Sequence, residues 1–243
     1  MHNYRWWLVF SKSVIMTITL AWGVFPARAV VNPDRSRVIL QEKNGEETLL
    51  LTNTAMIPSL NQVWVDEGDP LISPEKLNVP IAIFPPVFKL EGGQQRDLRI
   101  KLIKKNILNF SEKLYWINIY QVPPNTARKS ENLQRIVMPL RIRIKLILRP
   151  AEMGEINEDE GEGINFSILN EKEKILQVSN PSLRVISLSG LKINNSNYSG
   201  LTLLPGETKR ICISDKDLHN GKQVIKWSIV NDLGVNWRYS RDI

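Results

Sequence analysis

Residues 134–150, from Gln134 to Pro150, read QRIVMPLRIRIKLILRP. Apolar side chains fall at Ile136, Met138, Leu140, Ile142 and Ile144, and most positions between them are basic or polar. A period of two describes a β-strand with one dry face, because successive side chains point to opposite sides of the pleat. Wound as a helix, the same stretch would scatter Arg141, Arg143 and Lys145 around the axis. One long strand is therefore expected here. Periodicity leaves two readings of its dry face: the inside of an ordinary sandwich, or a surface lent to another protein.

Working outward, short β-rich runs bounded by Pro, Gly and Asn precede this strand. They are Arg35–Gln41, Glu47–Asn53, Asn61–Asp66, Ile81–Phe84, Gln95–Ile103 and Lys113–Val122. Strands at this spacing, with no long amphipathic helix, describe an immunoglobulin-like sandwich. Pro85, between Phe84 and Pro86, is a candidate for a cis bond. Past Pro150 the chain turns acidic and Gly-bearing (GEINEDEGEG), which reads as an exposed connection and first loop. Further runs follow at Ile164–Leu169, Ile175–Ser179, Val185–Ile193, Lys209–Ile213, Val224–Val230 and Val235–Tyr239. The expectation is all-β: two immunoglobulin-like β-sandwich domains, residues 30–150 and a smaller one at 151–243.

Residues 1–29 are set apart as a signal peptide. Arg5 supplies the basic start, the run from Trp6 to Phe25 is mostly apolar, and Ala27-Arg28-Ala29 has the small-x-small pattern of a cleavage site. Lys12 leaves too short an apolar run to span a bilayer, so cleavage after Ala29 and no stable membrane insertion afterwards are expected. The 243 residues carry 42% apolar and 23% charged side chains and a net charge of +7, the profile of a globular, basic protein. Much of the basic excess sits on alternating strand positions, with no aromatic-interleaved basic motif, which argues against nucleic acid. Cys212 has no partner in the chain, so stability must come from the cores and not from disulfides.

Catalytic constellations are missing. The mature chain has a single histidine, His219, whose neighbours Ser214, Asp215 and Asp217 lie in one turn; triads are assembled from separate elements. No phosphate-loop, dinucleotide or nucleophile-elbow motif occurs, and no spaced ligand set suggests a metal or other cofactor. The chain is expected not to be an enzyme.

Several segments together, in order, resemble the periplasmic pilus chaperones of Gram-negative bacteria, the PapD-like family. They are VVNPDRSRVIL, NQVWVDE, IFPPVFKLEGG, EKLYWINIYQVPP and RIRIKLILRP, then LQVSNPSLRVISLSGL, LLPGE and IVNDLGV. The resemblance spans Val30 to Val235. It implies two immunoglobulin-like domains set as a boomerang, capping pilus or fimbrial subunits in the periplasm and passing them to an outer-membrane usher. Each subunit lacks its last strand, and the chaperone lends its own, a mode known as donor-strand complementation.

Carried over residue by residue, the resemblance makes Ile136, Met138 and Leu140 the donors, with Ile142 following in phase. It makes Arg37 and Lys145 the pair that binds the C-terminal carboxylate of the subunit, and Glu112, Arg149 and Asp232 an interdomain ion network. An exposed ion pair contributes little stability, so orientation of the two domains is the role expected of that network. Two departures stand out. Pro139 interrupts the donor strand and removes a backbone N–H, and the connection from Pro124 to Gln134 is longer than in the short-loop subfamily yet lacks the paired cysteines of the long-loop one. The short-loop type is the nearer fit. The same donor edge would also allow a self-capped dimer. An exported sandwich that itself becomes a subunit of a surface fibre is the alternative; it would need a free N-terminal extension of alternating apolar residues, and the stretch after Ala29 is short.

Overall fold

The computed structural model describes residues 31–104, 110–122, 138–170, 174–214 and 223–243. The signal peptide, Ile136 and His219 lie outside them.

In the first half, β1 (Val31–Pro33), β3 (Glu46–Asn53), β7 (Gln95–Leu102) and β5 (Ile81–Phe84) form one sheet in the order β1-β3-β7-β5. Facing it is a sheet of β2 (Arg37–Gln41), β9 (Leu140–Arg149), β8 (Lys113–Val122), β4 (Ser59–Asp66) and β6 (Val87–Leu90), in the order β2-β9-β8-β4-β6. Alternation puts Leu49, Leu51, Leu98 and Ile100 of the first sheet against Val63, Val65, Ile117, Ile119 and Leu146 of the second, all buried. This is the dry interior expected of two sheets whose strands have a period of two. The Phe84–Pro85 bond is cis.

The second half begins with a short helix, α1 (Asp159–Glu162), inside the acidic stretch read from sequence as loop. One sheet follows from β10 (Asn165–Asn170), β11 (Ile175–Ser179) and β15 (Thr208–Cys212). The other is built on β12 (Ile186–Ile193), β16 (Val224–Val230) and β17 (Asn236–Asp242), with β13 (Ser196–Tyr198) and β14 (Leu201–Leu203) both paired to β12. Leu176, Val178, Ile186, Ile225, Trp227 and Ile229 fill a second, separate core. Trp227 packs between Phe166 and Tyr239, with ring centroids 4.8 and 5.4 Å away. Cys212 is exposed. Among the described residues, no helix is long and apolar enough to cross a membrane, and no group of three or more His, Cys, Asp or Glu could hold a metal ion.

One expectation needs correction. Within the described residues, the strand read from Gln134 runs from Leu140; Met138 and Pro139 are in no regular element, and residues 134–137 are not among those described. Proline has no N–H to give a ladder and its ring crowds the residue before it, so pairing begins just after Pro139.

β9 also changes character along its length. Among the described residues, from Leu140 to Ile144 it pairs only with β8; from Lys145 onward β2 joins its other side in parallel, Arg37 opposite Lys145 through Gln41 opposite Arg149. Its first half is therefore a sheet edge and its second half a central strand. The second half is also buried on both faces. Leu146 and Leu148 point into the core, while Lys145, Ile147 and Arg149 share the outward face and turn toward the second domain. That double burial explains the continuous apolar run LIL, in place of strict alternation, just before Arg149.

Candidate functional site

Arg37 opens β2 and Lys145 sits at the midpoint of β9. Their strand neighbours Val38, Ile144 and Leu146 face the core, so both cations are turned outward into the crevice between the two domains. Arg37 Nη1 donates to the carbonyl oxygen of Val230 at 2.9 Å, and Lys145 Nζ donates to Ser187 Oγ at 2.7 Å. Both acceptors belong to the second domain. Among the described residues, no carboxylate lies in ion-pair contact with either cation, and Arg37 Nε is buried with nothing accepting from it.

Burial pushes the Lys145 ammonium down to about 8, helped by the positive charges of Arg37 and Lys209. Arg37 is likewise lowered by burial, with Asp232 pulling the other way. Lys209 adds a third positive charge nearby. Its Nζ donates to the carbonyl of Thr202 at 2.5 Å, and Thr202 is the register partner of Ser187. A guanidinium with an unused donor beside a desolvated ammonium is an arrangement that favours an incoming carboxylate.

On the opposite face of β9, exposure rises toward the N-terminal end. Ile144 is buried, Ile142 is half-buried against the core, Leu140 is 42% exposed and Met138 is 76% exposed. The dry face thus divides along one strand: core from Ile144 onward, exposed apolar surface at Leu140 and Met138. The edge beside Leu140–Ile144 carries backbone groups that no strand among the described residues pairs with.

Behind the crevice, Glu112, Arg149 and Asp232 come together as the resemblance implied. Arg149 Nε donates to Glu112 Oε1 at 2.6 Å, and its Nη1 and Nη2 form a two-pronged contact with Asp232 at 2.6 and 2.7 Å. Asp232 is presented by a turn in which Asn231 Oδ1 accepts the amides of Leu233 and Val235, closed by Gly234 at φ +82°. The expectation of exposed ions is wrong, however: Arg149 is 1% and Glu112 4% exposed. Glu112 also accepts the Val185 amide at 2.7 Å and lies 3.5 Å from Arg184, which pairs in turn with Glu160 at 2.7 Å. Burial pushes the Glu112 carboxyl up, against the pull of Arg149 and the Val185 N–H. At Asp232 burial is outweighed by Arg149, and the carboxyl falls below its ordinary value. Sequence reading missed Arg184 because it lies in the loop ahead of β12, where no period marks it.

A second set escaped the sequence altogether. Arg141 stacks on Trp64 and Arg143 on Trp116, with each guanidinium about 5 Å from its ring centroid (4.8 and 5.0 Å). The reading that found no aromatic interleaving among the basic residues concerns the order along the chain; these contacts arise across the sheet. The aromatics are supplied by β4 and β8, which follow β9 in the order β9-β8-β4, so the arginines of β9 reach across the sheet to them.

Comparison with known proteins agrees with this architecture. Residues 30–154 match the family described as pili and flagellar-assembly chaperone, PapD N-terminal domain, and residues 161–241 match the C-terminal domain of the pili assembly chaperone PapD. The chain belongs to the PapD-like pilus-assembly chaperones, a family of chaperones and not of enzymes. Its relatives include the probable fimbrial chaperone YehC of Escherichia coli, 28% identical over 208 residues, covering 85% of both chains. The chaperone protein PmfD of Proteus mirabilis is 31% identical over 187 residues, 74% of this chain and 69% of the relative. In fold it is similar to a solved structure of the Salmonella enterica SafA pilin in complex with the SafB chaperone, with TM-score 0.75, 23% identity, and coverage of 90% of this chain and 99% of that one. The YadV chaperone gives TM-score 0.73 at 19% identity, covering 88% of this chain and 100% of that one. Membership of a chaperone family sets aside the alternative of a fibre subunit.

Proposed function

We propose that this chaperone works in the periplasm, holding pilus or fimbrial subunits by donor-strand complementation before they pass to an outer-membrane usher. In this reading residues 1–29 are the export signal, cleaved after Ala29, and residues 30–150 and 151–243 are the two working domains. Met138, Leu140 and Ile142, with Ile136 ahead of them, enter the open groove of the subunit. Arg37 and Lys145 grip its C-terminal carboxylate.

The observation that carries this reading is the division of β9. One strand offers an edge that no other described strand pairs with and an exposed apolar side chain at Leu140, and five residues later places Lys145 beside Arg37 in the crevice. Burying each donor side chain is worth roughly 1.5–3 kcal/mol. Three of them supply about 5–9 kcal/mol before the costs of association, enough to hold a subunit and still release it. The same exposed edge is also open to a second copy of the chain, so a self-capped dimer of the free protein belongs to the same proposal.

The test is co-expression of the exported chain with a pilus subunit bearing an affinity tag. Recovery of a one-to-one complex that is lost when the last residues of the subunit are deleted supports the reading. A subunit that folds and stays soluble equally well without the chaperone argues against it.

A further inference from the structure

Among the described residues, the half of β9 that would be lent out has a ladder on one side only, and a single-sided strand is the kind most free to fray or slip. Its outward face is nevertheless tied down. Asn118 Oδ1 accepts from Arg141 Nε at 2.9 Å, from Arg141 Nη2 at 2.6 Å and from Arg143 Nε at 3.0 Å. Asp66, 1% exposed, accepts from Arg143 Nη2 and from Asn118 Nδ2, each at 2.7 Å, and from the Gly68 amide at 2.7 Å. Arg141 Nη1 reaches on to the carbonyl of Pro70 at 2.5 Å. With the stacking on Trp64 and Trp116, the two arginines span three strands and the loop that follows β4.

We propose that Asp66 and Asn118 are positioning residues for the donor segment, holding Arg141 and Arg143 so that the one-sided half of β9 keeps its phase before any subunit arrives. The inference rests on the donor-strand reading above. Its physical content is a matter of parity. Arg141 and Arg143 alternate with Leu140 and Ile142, so a slip by one residue would carry the arginines to the apolar side and away from every acceptor just named. The buried carboxylate and amide thus act as a lock on which side chains face a partner. Pre-ordering of this kind also reduces the ordering cost at the moment of binding.

The experiment is hydrogen exchange on the free mature protein, paired with the rate of subunit capture. Two variants serve. Asp66→Asn with Arg143→Gln removes the closest charge pair together, leaving no lone buried carboxylate; Arg141→Lys keeps the charge and loses the planar fork. The expected result is that amides of Leu140–Ile144 bonded to β8 exchange about tenfold faster or more, while those of β3 and β7 are unchanged. Capture should slow in step. Uniform acceleration throughout the domain, or unchanged exchange at 140–144, overturns the proposal. Leu140→Ser is the control. If it captures subunits normally, the donor-strand reading itself fails, and the exchange data on the free protein still decide whether the lock exists.

Discussion

Arg37 and Lys145 stand directly opposite one another on parallel strands, two cations in register in the interdomain crevice, Arg37 donating to the Val230 carbonyl and Lys145 to the Ser187 hydroxyl, with no ion-paired carboxylate among the described residues. Like charges placed directly opposite on a sheet destabilise it. An anion bound between them would relieve that repulsion.

Arg37→Ala and Lys145→Ala should each fold with unchanged or slightly raised melting temperature. Each should lower subunit affinity by roughly ten- to a hundredfold, the worth of a hydrogen bond to a charged group at about 1.5–3 kcal/mol. Titration of the purified variants with a subunit, or with a peptide carrying its free C-terminal carboxylate, reads this out.

Capture should depend on pH through Lys145, which titrates near 8 in the folded chain against an ordinary 10.5. Only the protonated amine attracts a carboxylate, so affinity should be greatest below about pH 8 and fall as pH rises toward 10. Stability runs the other way. Between about 8 and 10.5 the unfolded chain holds the proton that the folded one has released, so this residue adds stability with rising pH across that window. Lys145→Arg should flatten both profiles.

Leu140→Ser and Met138→Ser should cost little stability, because both side chains already meet solvent, yet weaken capture by roughly tenfold or more each. Leu146→Ser, in the core on the same strand, should destabilise the domain by several kcal/mol, about the cost of a large core truncation plus an unpaired hydroxyl. Thermal melts beside pull-downs separate the two classes.

Arg149→Met should cost about 3–5 kcal/mol, because it strands Glu112 without its main partner in a buried site. Asp232→Asn keeps the shape of the contact and should cost less, while loosening the angle between domains. Small-angle scattering of that variant should show a broader distribution of interdomain orientations.

The sandwich was legible because period-two patterning and turn residues are local. Strands such as Lys113–Val122 and Ile175–Ser179 fall where alternation puts them. Short pieces such as Val87–Leu90, Ser196–Tyr198 and Leu201–Leu203 offer too few residues for a period to register. Alternation in side chains continues through Pro139, although Met138 and Pro139 are in no regular element and ladder pairing is seen from Leu140. Arg37, Lys145, Glu112, Arg149 and Asp232 were reached through resemblance and not through pattern. No period in a chain says that a residue of β2 will lie against one of β9 more than a hundred positions later. The stacking of arginine on tryptophan was invisible for the same reason, since it exists only once β4, β8 and β9 lie side by side.

Because Lys145 and Leu140, the proposed anchor and the outermost paired donor, belong to one unbroken strand, their spacing is fixed by backbone geometry. Five residues from Leu140 to Lys145 amount to roughly 17 Å at about 3.3 Å per residue. The strand is in effect a gauge. In the donor-strand reading, a foreign chain whose end is one residue too long or too short could bring its carboxylate to Lys145 or receive Leu140 in its groove, but not both, so the length of its tail would be a criterion of acceptance as strict as its shape.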